Sequence, residues 1–134
     1  NSIDHGIEDK DVRVGKGKSV NGNIFIKIRH IDNKRVLTVS DDGAGLNLDE
    51  LKGKAITSGI DCDNLSSDKD IANLLFEPGI STADKLTDIS GRGVGMDAVR
   101  VFLENIGANI NITFTGEKSG GAVPFEFRID LTKI

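Results

Sequence analysis

The residues best able to do chemistry in this 134-residue chain fall into four clusters. Asn1, Asp4 and His5 come first, spaced three and four apart, so on a helix they share one face. An asparagine carbonyl oxygen can ligate Mg2+ without adding charge, and a histidine can donate to a phosphate. A polar helix end would carry the same residues. The second cluster is Asp41-Asp42-Gly43-Ala44-Gly45, which directly follows a strand-like run. A carboxylate at a strand end can accept a hydrogen bond from an exocyclic amine such as that of adenine, while the glycines let the backbone approach a ligand closely. An ordinary turn favours the same composition. Third comes Leu74-Leu75-Phe76-Glu77-Pro78-Gly79-Ile80-Ser81-Thr82, joining an apolar helix end to a long irregular segment of the kind that serves as a lid. Ser81 and Thr82 could reach phosphate oxygens there, and Phe76 could at the same time be plain core. The fourth, Ser90-Gly91-Arg92-Gly93-Val94-Gly95-Met96, opens a helix. Clustered glycines at a helix start expose N–H groups that cradle phosphates. The Gly-x-Gly-x-Gly spacing is not a dinucleotide fingerprint, and no Gly-Lys-Ser/Thr follows it.

Positioning these clusters falls to elements that the hydrophobic pattern makes visible. Residues 1–8 read as the tail of a helix closed by Gly6 at its C′ position. Residues 9–21 are charged and glycine-punctuated, a loop with one helical turn. Residues 23–31 alternate as a half-buried strand, with Ile24, Ile26 and Ile28 on one face. Asp32-Asn33 turns the chain, and residues 34–40 form the partner strand of a hairpin. A helix is predicted over residues 48–58, a loop over 59–67, and a second helix over 67–76 from a Ser/Asp cap. Residues 77–90 read as a loop. Met96, Val99, Leu103 and Ile106 give the next helix an apolar stripe, and Gly107 closes it. Ile110, Ile112 and Phe114 alternate as a strand, residues 116–121 turn, and Phe125, Phe127 and Ile129 alternate on the return. Hairpins segregated from helices imply an α+β two-layer sandwich: one mixed, largely antiparallel sheet with helices on one face.

Composition narrows the function. Seventeen basic against 21 acidic residues leave a charge of −4, which argues against nucleic acid and against a polybasic membrane anchor. The absence of Trp and Tyr removes the aromatic platforms on which bases stack. No apolar run is long enough to span a bilayer. The single cysteine, Cys62, excludes an internal disulfide, suits a reducing cytoplasm, and lies between two aspartates that disfavour its thiolate.

In their order, the clusters resemble the Asn box, first glycine box, Phe box and second glycine box of the GHKL ATPase superfamily. More narrowly they resemble the ATP-binding catalytic domain of CheA-type chemotaxis histidine kinases. Asn-Ser-Ile-Asp-His-Gly-Ile-Glu (1–8), Asp-Asp-Gly-Ala-Gly-Leu (41–46), Leu-Phe-Glu-Pro-Gly-Ile-Ser-Thr-Ala (75–83) and Ser-Gly-Arg-Gly-Val-Gly-Met-Asp-Ala-Val (90–99) carry the resemblance. It implies a Bergerat-type sandwich with a long ATP lid, spanning residues 1–134 as one catalytic domain. It implies ATP and Mg2+ as ligands and phosphoryl transfer to a histidine on a separate domain. Asn1 then resembles the Mg2+ ligand, and Asp4 and His5 the polar residues beside the phosphates. Asp41 resembles the acceptor of the adenine amine, with Gly43 and Gly45 shaping that end of the pocket and Lys54 facing the nucleotide. Leu75, Phe76 and Ser81 match the Phe box and the start of the lid, and Gly91, Gly93, Gly95 and Met96 the triphosphate lining. Neither His5 nor His30 is expected to accept the phosphoryl group.

The resemblance further implies a response regulator, a coupling protein and chemoreceptors as partners through other domains, with neither nucleic-acid binding nor membrane insertion. The chain alone would be a monomer, the longer protein a cytoplasmic homodimer. The family places another histidine four residues before the box asparagine, so the chain is expected to be a fragment whose first helix begins upstream of Asn1. Where the family has Gly-Thr before its last strand, this chain has Gly121-Ala122, and a hydroxyl that assists adenine binding is gone. The final Leu-Pro-Leu-Thr becomes Ile129-Asp130-Leu131-Thr132. Two rival readings remain: a nucleotide-gated conformational ATPase like those of gyrase, mismatch-repair and heat-shock proteins, and a degenerate, weakly binding scaffold.

Overall fold

Two consecutive left-handed residues, Asp32 (φ 49°) and Asn33 (φ 62°), turn the chain between β1 (Ile24–Ile31) and β2 (Lys34–Asp41). A two-residue hairpin turn of type I′ needs positive φ at both positions, and Asp and Asn tolerate it best after Gly. The register follows, from Ile31 opposite Lys34 to Ile24 opposite Asp41. The computed structural model describes residues 1–80 and 95–131. Ser81, Gly91 and Gly93, expected at the nucleotide, lie outside the described residues.

β4 (Asn109–Phe114) and β6 (Phe125–Asp130) form the second hairpin, and β6 pairs with β2 to join the two into a four-stranded sheet ordered β1-β2-β6-β4. Every pairing among the described residues is antiparallel. A short ribbon pairs β3 (Leu46–Asn47) with β5 (Ala122–Val123). Two residues per strand are too few for alternation to reveal, so this ribbon has no signature in the sequence.

Leu37, Ile129 and Ile110 stand in one row across the sheet, and Val39, Phe127 and Ile112 in the next. The helices cover this face: α2 (Leu48–Thr57) with Leu48, Leu51 and Ala55, α3 (Asp68–Asn73) with Ala72, and α4 (Met96–Asn105) with Met96. Each fully buried leucine contributes about 1.5–3 kcal/mol. The two-layer sandwich inferred from the order of elements is therefore the observed architecture. Ser67 caps α3 as expected. Its hydroxyl accepts from Asp70 N (3.1 Å), while Asp70 accepts from Ser67 N (3.2 Å), a reciprocal capping box. Gly107, at φ 81°, closes α4.

Three expectations are corrected. β1 is not half-buried: Ile26 and Ile28 are 69% and 67% exposed, although they point to the helix side. The helices α3 and α4 lie over β4, at the opposite edge, and alternation marks a face without saying whether anything covers it. The segment 67–76 is not one helix, since α3 stops at Asn73 and residues Leu74–Phe76 tighten into a 3-10 turn that buries all three side chains. Gly6 is not a left-handed cap. It lies inside a wide turn, Ser2–Gly6, and Ile7 ends that turn in extended conformation. Within residues 9–21, the single helical turn is α1 (Lys10–Gly15).

Candidate functional site

The wide turn at the N-terminus closes through one carbonyl. Asn1 O accepts from both His5 N (2.8 Å) and Gly6 N (3.1 Å), and Ser2 O accepts from Ile7 N (2.8 Å). This under-wound geometry is a single π-type turn, a form that recurs at functional sites. It directs the Gly6 carbonyl at the loop after β2, where Ala44 N donates to it (2.8 Å). Contact between the two segments is so close that a Cβ on Gly43 would overlap the Gly6 carbonyl. Gly45 is constrained separately, because φ is +82° and a Cβ would sit 2.7 Å from the Val123 carbonyl of β5. The first two clusters are thus joined backbone to backbone.

Asp41 ends β2 inside this junction. One carboxylate oxygen, Oδ1, accepts from Gly43 N (2.9 Å), and the other lies against Gly6. The first cluster also reaches the fourth. Asn1 Nδ2 donates to the Met96 sulfur (3.1 Å) at the start of α4, whose N-cap is Gly95. Its Oδ1 accepts from no described residue. Asp4 and His5 are half-buried in the turn beside it. Among the described residues no group of three or more His, Cys, Asp or Glu could hold a metal ion. The donor present, one neutral amide oxygen, fits a Mg2+ that keeps its waters and takes most of its ligands from phosphates.

The remaining candidates are placed differently. Lys54 lies on α2 and pairs with Glu50 one turn back (3.0 Å). Leu75 and Phe76 are core residues, 6% and 5% exposed. The Phe76 ring meets Phe127 edge-on at 6.3 Å, and the Arg100 guanidinium of α4 sits 5.4 Å from its centre. Together they seat α4 on the sheet. Ala122 lies in the β3–β5 ribbon opposite Asn47, immediately behind the first glycine cluster. Cys62 is buried, and its thiol contacts the Ile60 carbonyl at 3.6 Å. His30 stands in the edge strand opposite Arg35.

A charged network that the sequence reading passed over encloses the back of this junction. Arg13 of α1 is 1% exposed. Its Nε donates to Ser19 O (2.7 Å), Nη1 to Glu8 Oε1 and to Asp42 O (both 3.3 Å), and Nη2 to Asn21 O (3.3 Å) while pairing with Asp42 Oδ2 (3.1 Å). Lys18 Nζ donates to Glu8 (2.9 Å), to Asp42 O (3.0 Å) and to Gly43 O (2.8 Å), and Lys16 adds a bond to Glu8 (3.2 Å). Burial pushes the Glu8 carboxyl up, but bonds from Lys18, its own backbone and Lys16 outweigh it and hold it below its ordinary value. Asn23, through side chain and backbone, and Arg13 hold Asp42 far below the carboxylate range. The only signal for this network was the density of charge in residues 8–18, which a solvated loop would share.

The sequence pattern of the family described as histidine kinase-, DNA gyrase B-, and HSP90-like ATPase matches residues 1–133. The chain is 43% identical over 112 residues to the chemotaxis protein CheA of Klebsiella aerogenes, covering 84% of this chain and 17% of that protein. It is 41% identical over 133 residues to CheA of Rhizobium meliloti, covering 98% of this chain and 17% of that protein. CheA of Bacillus subtilis is 39% identical over 137 residues, covering 100% of this chain and 20% of that protein. The chain thus spans about a fifth of the length of the relatives it matches.

Proposed function

The chain belongs to the histidine kinase-, DNA gyrase B- and HSP90-like ATPase family and is of the CheA type, and from that premise we propose that it binds ATP with Mg2+ as the catalytic domain of a chemotaxis histidine kinase. The observation that carries the proposal is the convergence of three motifs far apart in sequence, through the Gly6–Ala44 backbone bond and the Asn1–Met96 contact. Such a junction has one end suited to a base and another suited to phosphates.

At the base end, Asp41 accepts the exocyclic amine of adenine, with Gly43 and Gly45 letting the loop close against the Gly6 and Val123 carbonyls. At the phosphate end, Asn1 offers its Oδ1, flanked by Asp4 and His5, and Gly95 and Met96 present the first N–H groups of α4. Asn1 would hold Mg2+, which supplies neutralisation of phosphate charge when bound. The reaction is transfer of the γ-phosphoryl group to an imidazole nitrogen of a histidine on a separate domain. The P–O bond to the β-phosphate breaks, a P–N bond forms, and ADP leaves. The contribution of this chain is positioning and electrostatic stabilisation. In this reading the chain is one domain of a longer cytoplasmic protein, which meets its acceptor domain, response regulator, coupling protein and chemoreceptors through other domains. No helix among the described residues is long and apolar enough to cross a membrane.

Calorimetric titration with ADP and with a non-hydrolysable ATP analogue plus Mg2+ tests the binding, with dye-monitored thermal shift alongside. At a hundredfold excess over Kd, binding stabilises the fold by about 2.7 kcal/mol. Asp41→Asn abolishes the shift in this reading. A wild-type chain that shows no binding at millimolar nucleotide refutes it. Transfer of labelled phosphate to a histidine-containing acceptor domain then tests the kinase step.

A further inference from the structure

We propose that Lys18, backed by Arg13 and Glu8, is a positioning residue that sets the Asp41 carboxylate for the base and locks the first motif to the second; the inference rests on the reading of Asp41 as the adenine acceptor. Two consecutive peptide planes carry this positioning. A peptide unit is rigid, so fixing its carbonyl oxygen fixes the direction of its N–H. The first plane contains Asp42 O and Gly43 N. Its oxygen receives Lys18 Nζ (3.0 Å) and Arg13 Nη1 (3.3 Å), which fill both lone pairs, and its N–H donates to Asp41 Oδ1 (2.9 Å). The second plane contains Gly43 O and Ala44 N. Its oxygen receives the same Lys18 Nζ (2.8 Å), and its N–H donates to Gly6 O (2.8 Å).

One ammonium therefore orients both N–H groups. One of them fixes the side chain of Asp41 and commits a single oxygen, so the other is turned toward Gly6. The second N–H ties down the turn that carries Asn1, Asp4 and His5. Both glycine constraints make this orientation consequential: residue 43 has no side chain of its own to hold it, and backbone held only by solvent would sample other directions. Glu8 completes the device. Its carboxylate, 7% exposed, bridges Lys18 and Arg13, and with the Asp42 carboxylate, 3.1 Å from Arg13, it balances their two charges, so the cations can be brought to neutral carbonyls. Arg13 holds the loop 19–21 as well as Asp42, and so is partly structural. Lys18, 31% exposed, is the member whose removal the fold can absorb.

The test uses Lys18→Met, which keeps the stem and removes the ammonium, with Lys18→Arg as the conservative rescue and Lys18→Gln as a second loss variant. In the nucleotide-free chain, amide exchange of Gly43 and Ala44 accelerates roughly fivefold in Lys18→Met, the equivalent of one lost hydrogen bond, while amides of the β2–β6 ladder keep their rates. ADP affinity falls about fivefold. Affinity for the diphosphate of purine riboside, which lacks the 6-amino group, changes less than twofold, and Lys18→Arg restores ADP binding. Unchanged exchange at Gly43 and Ala44, with ADP binding intact, overturns the positioning role and leaves the nucleotide reading standing. Equal losses for both nucleotides also overturn it, since Lys18 would then act on phosphates or on the fold at large. Failure of the wild-type chain to bind either nucleotide defeats the reading of Asp41, and this proposal with it.

Discussion

Arg13→Met is the sharpest probe of the charged network behind the site. The guanidinium makes five contacts, three of them to the backbone carbonyls of Ser19, Asn21 and Asp42, and it sits at 1% exposure beside a Glu8 side chain that is 7% exposed. Methionine fills much of the stem's volume and satisfies none of these acceptors. Removing one partner of a buried pair costs about 3–5 kcal/mol because the other charge is stranded. Glu8 keeps Lys18 and Lys16, which places the expectation near the lower end, at about 3 kcal/mol. Against a total stability of about 5–15 kcal/mol this is a large share, and it lowers Tm by about 10 °C for a domain of this size. Urea unfolding followed by far-ultraviolet circular dichroism is the assay, because the chain has neither Trp nor Tyr. Arg13→Lys recovers less than half of the loss, since a lysine cannot span acceptors arranged around a planar fork. The double variant Glu8→Gln/Arg13→Met loses less than the sum of its parts, as residues in one network are coupled. A loss below about 1 kcal/mol in Arg13→Met, or strict additivity in the double variant, refutes the reasoning.

Three further outcomes are expected. Gly43→Ala forces the first motif away from the second and breaks the Gly6–Ala44 bond, so it lowers stability by about 1–3 kcal/mol and abolishes nucleotide binding; normal affinity in a calorimetric titration contradicts it. Ser67→Ala removes the α3 cap at a cost of about 1 kcal/mol, and a shift under about 0.3 kcal/mol in urea midpoint analysis contradicts the capping box. Glu8, Asp42 and Asp70 are all held below their ordinary values of 4.5, 3.8 and 3.8 in the folded chain. The unfolded chain therefore binds more protons in acid, the stabilisation is complete above about pH 4.5, and it is lost as pH falls through the depressed folded values. Thermal melts between pH 7 and pH 2.5 should show Tm falling on the acid side, and a level Tm down to pH 2.5 contradicts the network.

What the sequence made legible was local. The Asp32-Asn33 turn, the Ser67 cap, the Gly107 closure and the alternation of β4 and β6 each depend on neighbours within a few residues, and each is found. So is the order of motifs, because it is written along the chain. What it hid depends on partners far away. The β3–β5 ribbon is too short for a period. Ile26 and Ile28 carry the alternation of a covered strand, and only the sheet order shows that β1 is an edge among the described strands. Gly6 looked like a cap because helix ends favour glycine, whereas its true constraint is a carbonyl-to-amide contact with a loop almost forty positions on. Arg13 and Lys18 fall in a charged, glycine-punctuated segment that reads as a loop, and no local pattern distinguishes a cation aimed at water from one aimed at a carbonyl.

The place of β6 in the sheet has a consequence for synthesis on the ribosome. It is the last of the described strands to be made, yet it stands between β2 and β4, with Val36 and Asn109 both opposite Asp130. Until residues 125–130 emerge, the nascent chain holds a β1–β2 hairpin and a helical segment with no shared sheet to close upon. Local hairpin formation takes microseconds, whereas a chain extends by only about 5–20 residues each second. The early hairpin therefore waits for several seconds with both of its edges open, and nascent chains ending before residue 125 are the form of this protein most in need of a chaperone.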